Sequence, residues 1–151
     1  MSEMLTFMMG EFEAEFPTDR LYVSNHMWAQ VSEPVVRFGF SAYAVRLLQD
    51  VYFLDWAMDA PASLTEKQEI GSIESKKAES SLYSPANGRL LSFNQQLMND
   101  PSAINVDKYG DGWLLEMEIE SQPFMEANEY VDFLVGVWEK TQRTIKGQMN
   151  D

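Results

Sequence analysis

Residues 71–88 read GSIESKKAESSLYSPANG, and this stretch decides how the rest of the chain is interpreted. Two arms containing Ile, Leu, Tyr and Ser flank a polar Ser-Lys-Lys centre, a pattern typical of two short strands joined by a tight turn. The Pro and the Asn-Gly pair that follow are turn residues. We therefore predict a β-hairpin with Lys76 and Lys77 at its tip, where both amines would be exposed.

Two interpretations of these lysines are open from the residues alone. A lysine pair in a turn is most simply a solvated surface, because lysine is rarely buried. The functional alternative is an acceptor lysine, held out on a mobile tip where a modifying enzyme can reach it.

Short strands are predicted on both sides of the hairpin. The β-rich runs are separated by Gly, Pro and Asn, which favour turns. They cover residues 21–23, 27–31, 35–40, 51–56, 67–75, 78–83, 89–93 and 113–119.

Helical periodicity occurs in fewer places. Residues 41–48 have apolar side chains at helical spacing, with Ser41 as a candidate cap. A helical turn is predicted within residues 91–98, ending before Pro101. After Pro123 one apolar face repeats every 3.6 residues, and Gly147 is expected to be the C-cap of this terminal helix. The pattern predicts a sheet sandwich or barrel with one internal helix and a C-terminal helix.

The first 16 residues mix Met and Phe with acids. Leu5, Met8, Met9 and Phe12 could share one helical face, so a short docking helix or a frayed tail is expected here.

Composition limits the possible functions. The chain has 151 residues, 45% of them hydrophobic, which suits one globular domain. Its net charge of −13 argues against unaided binding to nucleic acid or to an anionic membrane, and favours partners with positive docking surfaces.

The chain contains no cysteine and one histidine, His26. Disulfides and thiolate catalysis are therefore impossible, and no metal site is predicted. No catalytic triad is visible, so an enzyme is the least favoured class. An acidic N-terminus and short apolar runs predict neither a signal peptide nor a membrane span, so a soluble cytoplasmic protein is expected.

Ordered motifs over residues 21–119 resemble the glycine cleavage H-protein family. The hairpin matches the family pattern of Glu-Ser-x-Lys-Ala, then Ser, Ser-Pro and Gly. Other matches are a His-x-Trp tripeptide, a strand-to-helix junction, and a Tyr-Gly-x-Gly-Trp-Leu run preceded by Pro and Asn. These lie at residues 74–78, Ser80, residues 84–85, Gly88, residues 26–28, residues 38–44, residues 99–101, Asn105 and residues 109–114.

The resemblance implies a mainly β fold, a lipoyl-domain-like barrel-sandwich hybrid with a short internal helix and a C-terminal helix. It implies an N-terminal extension at residues 1–20, a lipoyl-carrier β domain at 21–122, and a helix at 123–151 packed on the same domain. It places covalent lipoate on Lys77, with Glu74, Ser75, Ala78 and His26 around it. Biotin acceptors typically have Met on both sides of the lysine, whereas Lys77 has none.

The resemblance also implies a non-catalytic monomer that shuttles the aminomethyl group of glycine. Its partners would be glycine decarboxylase, aminomethyltransferase, dihydrolipoamide dehydrogenase, and a lipoate ligase or lipoyltransferase.

The chain departs from the family pattern at two positions where the family has carboxylates, Met27 and Ser81. A carboxylate there would hold a cationic amine through a charge-assisted bond. Two alternatives therefore stay open. One is an H-like lipoyl carrier for sulfur-transfer oxidation or lipoate relay, and the other is an interaction module without lipoate.

Overall fold

The structure is a computed structural model that describes residues 3–119 and 124–150, of residues 143–150 the backbone only. The strands in chain order are β1 (Met4–Met9), β2 (Phe12–Pro17), β3 (Leu21–Tyr22), β4 (Met27–Ser32), β5 (Val35–Phe40), β6 (Val51–Trp56), β7 (Ala62–Leu64), β8 (Glu69–Ser75), β9 (Glu79–Tyr83), β10 (Gly88–Phe93) and β11 (Leu115–Ile119). The helices are α1 (Ala42–Leu48), α2 (Gln96–Asn99), α3 (Ala103–Val106) and α4 (Ala127–Asn150).

These strands form three antiparallel sheets. A six-stranded sheet has the order β3-β4-β5-β11-β10-β7, and a three-stranded sheet has the order β6-β8-β9. The strands β1 and β2 form a separate hairpin. The larger two sheets share one core, because inward side chains of both belong to the same buried hydrophobic cluster.

The predicted strands coincide with eight of the observed ones, β3 to β6 and β8 to β11. The helical turn predicted before Pro101 is α2. The strand β7 and the helix α3 were not predicted, because three or four residues are too few for a period to be recognised.

A second core lies between the N-terminal hairpin, α1 and α4. It contains large aromatic side chains that are almost fully buried, among them Phe16, Tyr22, Trp28, Tyr43 and Tyr130. The rings of Tyr22 and Tyr130 are stacked with their centroids 4.8 Å apart. This aromatic core fixes α4 against the sheet, and the backbones of Tyr22 and Met125 exchange two hydrogen bonds beside it.

The prediction of a helix or frayed tail at the N-terminus is wrong, because residues 4–17 form a β-hairpin. Apolar side chains alternate along both strands and bury one face, with Met9, Ala14 and Phe16 in the aromatic core. Met8 belongs to the exposed face. The two-residue turn begins at Gly10, whose φ of 66° suits the first position of a tight hairpin turn.

Two predicted helix signals are also corrected. Ser41 occupies the N-cap position of α1, but its side chain makes no capping bond. The hydroxyl of Tyr109 instead accepts the hydrogen bond of the Ala42 N–H at 2.9 Å. The helix α4 continues past Gly147 to Asn150, since a glycine costs only about 1 kcal/mol inside a helix and does not by itself end one.

None of the helices in residues 3–119 and 124–150 has both the length and the apolarity needed to cross a membrane.

Candidate functional site

Lys77 lies in the turn between β8 and β9, at the tip of the predicted hairpin. Residues 76–80 are all exposed, so neither lysine is covered by the rest of the chain. Within the described residues the Lys77 ammonium makes no ion pair. The structure therefore leaves a free primary amine on a turn that another protein can approach.

Ser75 holds this turn together. Its buried hydroxyl donates to the Ala78 carbonyl at 3.0 Å and accepts the Ala78 N–H at 3.1 Å, while its own N–H donates to the same carbonyl at 2.8 Å. Three bonds between the same two residues define the loop from which Lys76 and Lys77 project. This closure uses the Ser75 side-chain hydroxyl and only backbone atoms of Ala78.

The turn is also anchored from outside the hairpin. The Lys76 N–H donates to the Asp50 carbonyl at 2.9 Å, which connects the tip to the segment between α1 and β6. The strand β8 is the middle strand of its sheet, and Glu74 lies between Phe53 of β6 and Glu79 of β9. Glu74 is half-buried and makes no ion pair among the described residues.

A cleft of about 320 Å³ opens beside the return strand of the hairpin. Ser80, Ser81, Leu82 and Tyr83 of β9 form one wall, and residues 25–27 with α1 form the other. At about 3.3 Å per residue along an extended chain, the backbone of Ser80, the first of these residues, lies at most roughly 10 Å from that of Lys77. A long flexible group on Lys77 could therefore fold back into this cleft.

One polar contact crosses the end of the cleft and connects its two walls. The side-chain amide of Asn25 donates to the Tyr83 carbonyl at 3.3 Å, and its oxygen accepts the Met27 N–H at 3.3 Å. One amide thus connects the loop before β4 to the end of β9.

His26 separates the cleft from the aromatic core. Its φ is 71°, and its backbone is held by bonds to Val23 and Ser41. The ring lines the cleft, while Nδ1 lies 2.9 Å from the Tyr130 hydroxyl, which lies 2.9 Å from Ser41 Oγ. Burial lowers the pKa of His26 to about 4, so the ring is neutral at pH 7.

No described residue that lines this cleft carries a carboxylate or a permanent positive charge. Met27 and Ser81, the two positions where the resemblance leads us to expect a carboxylate, both line it. The cleft is therefore a neutral, largely apolar groove at pH 7.

The structure places four of the five site residues predicted from the sequence at or next to the turn, and the fifth elsewhere. Lys77, Ser75 and Ala78 form the turn, and Glu74 lies just below it. His26 is not part of the turn and belongs to the cleft.

Two residues that support this cleft were not predicted as functional, namely Ser41 and Tyr130. The apolar spacing of α4 indicated only core packing for Tyr130, and its hydroxyl partners lie 89 and 104 positions away in the chain. No local signal could have identified this network.

Comparison with known proteins identifies the family. The family model described as glycine cleavage H-protein matches residues 20–136. A glycine cleavage system H protein from Methylacidiphilum infernorum is 35% identical over 122 residues, covering 78% of this chain and 94% of that protein. One from Crocosphaera subtropica is 35% identical over 129 residues, covering 82% and 96%.

A solved structure supports the same conclusion about the fold. The crystal structure of a glycine cleavage system H protein from Mycobacterium marinum superposes with a TM-score of 0.71 at 29% identity, covering 78% of this chain and 97% of that one. The predicted barrel-sandwich fold is confirmed. Because the family model spans residues 20–136, this chain belongs to the glycine cleavage H-protein family.

Proposed function

We propose that this chain is a lipoyl carrier of the glycine cleavage system and that Lys77 is the residue to which the lipoyl group is attached. The observation that carries the proposal is the exposed amine of Lys77 on a turn closed by Ser75 and Ala78. The deprotonated Lys77 amine would attack the carboxyl carbon of an activated lipoyl group, and the activating group and one amine proton would leave. The resulting amide replaces the ammonium charge with a neutral link.

The described residues fit this group. The neutral cleft beside β9 suits an uncharged apolar chain, and its wall begins three residues after Lys77. When attached, the lipoyl group supplies the disulfide chemistry, while the chain supplies position and a docking surface. A tether raises the effective concentration of the group at each enzyme that it visits.

The proposed role is that of a carrier and not of a catalyst. Family membership supports four partners: glycine decarboxylase, aminomethyltransferase, dihydrolipoamide dehydrogenase, and the lipoate ligase or lipoyltransferase that modifies Lys77. We further propose that the chain works as a cytoplasmic monomer.

The attachment site is tested by intact-mass analysis after co-expression with a lipoate ligase. We expect one lipoyl adduct, which Lys77→Ala abolishes. Lys76→Ala is the matched control, because it removes the adjacent exposed lysine of the same turn, and it should keep the adduct. An adduct mapped to Lys76, or an unmodified wild-type chain, would overturn the assignment; an unmodified chain from its native host would favour an interaction module.

A second candidate function is supported by the neutral cleft. A cationic aminomethyl cargo gains from a nearby carboxylate by about 1.5–3 kcal/mol when the bond is well ordered. None of the described residues that line the neutral cleft has a carboxylate. This lining suits a carrier whose cargo is uncharged, such as a sulfur-transfer or lipoate-relay protein.

The cargo is tested by glycine–bicarbonate exchange with the cognate glycine decarboxylase. The proposed function predicts exchange with the lipoylated wild-type chain. The alternative predicts little exchange with the lipoylated wild-type chain. It also predicts that exchange is recovered in the lipoylated Ser81→Asp variant, which adds a carboxylate to the cleft wall. Ser63→Asp is the control, since it adds the same charge to an exposed position of β7 in the other sheet. We prefer Ser81 to Met27 because Met27 is fully buried and a carboxylate there would be desolvated.

A further inference from the structure

A second cleft lies on the other side of α1, and it has the opposite electrostatic character to most of the surface. It has a volume of about 310 Å³ and is lined by Phe12, Arg46, Gln49, Asn105 and Lys108, with two small apolar residues of α1. None of these described lining residues is acidic, in a chain whose net charge is −13.

The N-terminal hairpin builds one wall of this cleft. Phe12 is the first residue of β2 and precedes the family-matched region, which begins at residue 20. The Arg46 guanidinium carbon lies 4.4 Å from the centroid of the Phe12 ring. Stacking on an aromatic face restricts the guanidinium while leaving its N–H edges available to an acceptor.

The two cations of the cleft have no acidic partner in the part of the chain that the structure describes. In the residues that the structure describes, neither Arg46 nor Lys108 makes an ion pair. The acid next to Lys108 in the chain, Asp107, does not line the cleft, and its carboxylate accepts the Asp111 N–H at 2.8 Å. The Lys108 backbone is itself fixed, because its carbonyl accepts the Trp28 indole N–H at 2.9 Å.

The cleft adjoins the turn that carries Lys77. Gln49 lines the cleft, and the next residue, Asp50, provides the carbonyl that binds the Lys76 N–H. The Asn105 side chain, also in the lining, bonds both the N–H and the carbonyl of Val51. A protein seated in this cleft would therefore lie beside the segment that anchors the turn carrying Lys77.

We propose that this cleft, hereafter the Arg46 cleft, docks a carboxylate-bearing surface segment of an enzyme that acts on Lys77. The charge of the lining selects an anionic occupant, and a stacked arginine is suited to bidentate recognition of a carboxylate. The inference rests on the proposed carrier function only in requiring that enzymes visit Lys77. It assigns the N-terminal hairpin a role in partner recognition.

The test measures binding of the full-length chain to each of the four purified cognate enzymes by isothermal titration calorimetry. Arg46→Glu and Lys108→Glu are each expected to weaken binding to at least one enzyme tenfold or more. Arg89→Glu is the matched control, since it makes the same charge change at an exposed position of β10, and it should change binding less than twofold. The wild-type affinity should fall with added salt, and that dependence should be smaller in Arg46→Glu.

Several outcomes would overturn the inference. One is equal affinity of Arg46→Glu and Arg89→Glu for every enzyme, and another is no binding of the wild-type chain to any of them. A third is that the resonances of the backbone amides in the cleft shift saturably when sodium phosphate is added, but not when sodium chloride of equal ionic strength is added. That result would make the Arg46 cleft a binding site for a free anion. Failure of the carrier function is read separately, as the absence of a lipoyl adduct on a wild-type chain.

Discussion

At the scale of single residues, His26 connects the cleft to the core. It is one of three non-glycine residues with a positive φ among those described, and its ring contacts Tyr43 at a centroid distance of 4.6 Å. A charged imidazolium in this position would be surrounded by rings and a neutral cleft. Burial therefore keeps the ring uncharged and lowers its pKa to about 4.

This pKa predicts a pH dependence of stability that His26→Asn removes. Between the ordinary pKa of 6.5 and the folded-state pKa of about 4, the unfolded chain binds more protons than the folded one. Stability is therefore retained above pH 6.5 and lost as the pH falls towards 4, by about 3 kcal/mol at 1.36 kcal/mol per pH unit. Asn is the chosen substitute because it tolerates a positive φ.

The measurement is the free energy of unfolding by urea at several pH values between 7 and 4, for the wild type and the variant. Carboxylates titrate in both proteins, so the difference between the two curves isolates His26. Parallel curves would contradict the lowered pKa.

At the scale of elements, the N-terminal hairpin is an integral part of the aromatic core. The Phe16 ring is fully buried and makes edge contacts with Tyr22 and Tyr130, at centroid distances of 6.0 and 5.3 Å. Tyr130 in turn bonds His26. The hairpin thus supports both the Arg46 cleft, through Phe12, and the neutral cleft, through the rings behind His26.

We expect Phe16→Ala to destabilise the whole chain by about 3–5 kcal/mol, the usual cost of truncating a buried Phe. Met8→Ala is the control, because Met8 is on the outer face of the same hairpin and is 51% exposed; it should cost less than about 0.5 kcal/mol. Urea unfolding followed by circular dichroism measures both. Equal stabilities would mean that the hairpin is dispensable for the core.

At the scale of the whole molecule, both clefts are assembled from segments far apart in the chain. The neutral cleft takes its walls from residues 25–27, from α1 and from β9, and the Arg46 cleft takes its walls from β2, α1 and the end of α3. The helix α1 lies between the two clefts and contributes side chains to each. Its residues Leu47 and Leu48 face the neutral cleft, whereas Arg46 faces the other.

Most strands could be predicted from the sequence because their signals are local. Alternating apolar residues, turn residues at their ends and the Ser-Lys-Lys centre of the hairpin each extend over fewer than ten residues. The N-terminal hairpin was missed because Leu5, Met8, Met9 and Phe12 also fit a helical face. Only packing against Tyr22 and Tyr130 selects the β alternation, and that packing is not local.

The sequence by itself determined the fold family, eight of the eleven strands among the described residues, and the exposed lysine pair on the turn between β8 and β9. These follow from short-range patterns and from motifs whose spacing is preserved. Only the tertiary structure decided that His26 is neutral, that the cleft beside β9 lacks charge, and that Arg46 lies against Phe12 with no acidic partner among the described residues. Each of these depends on desolvation or on contacts between side chains dozens of residues apart, which spacing along the chain does not encode.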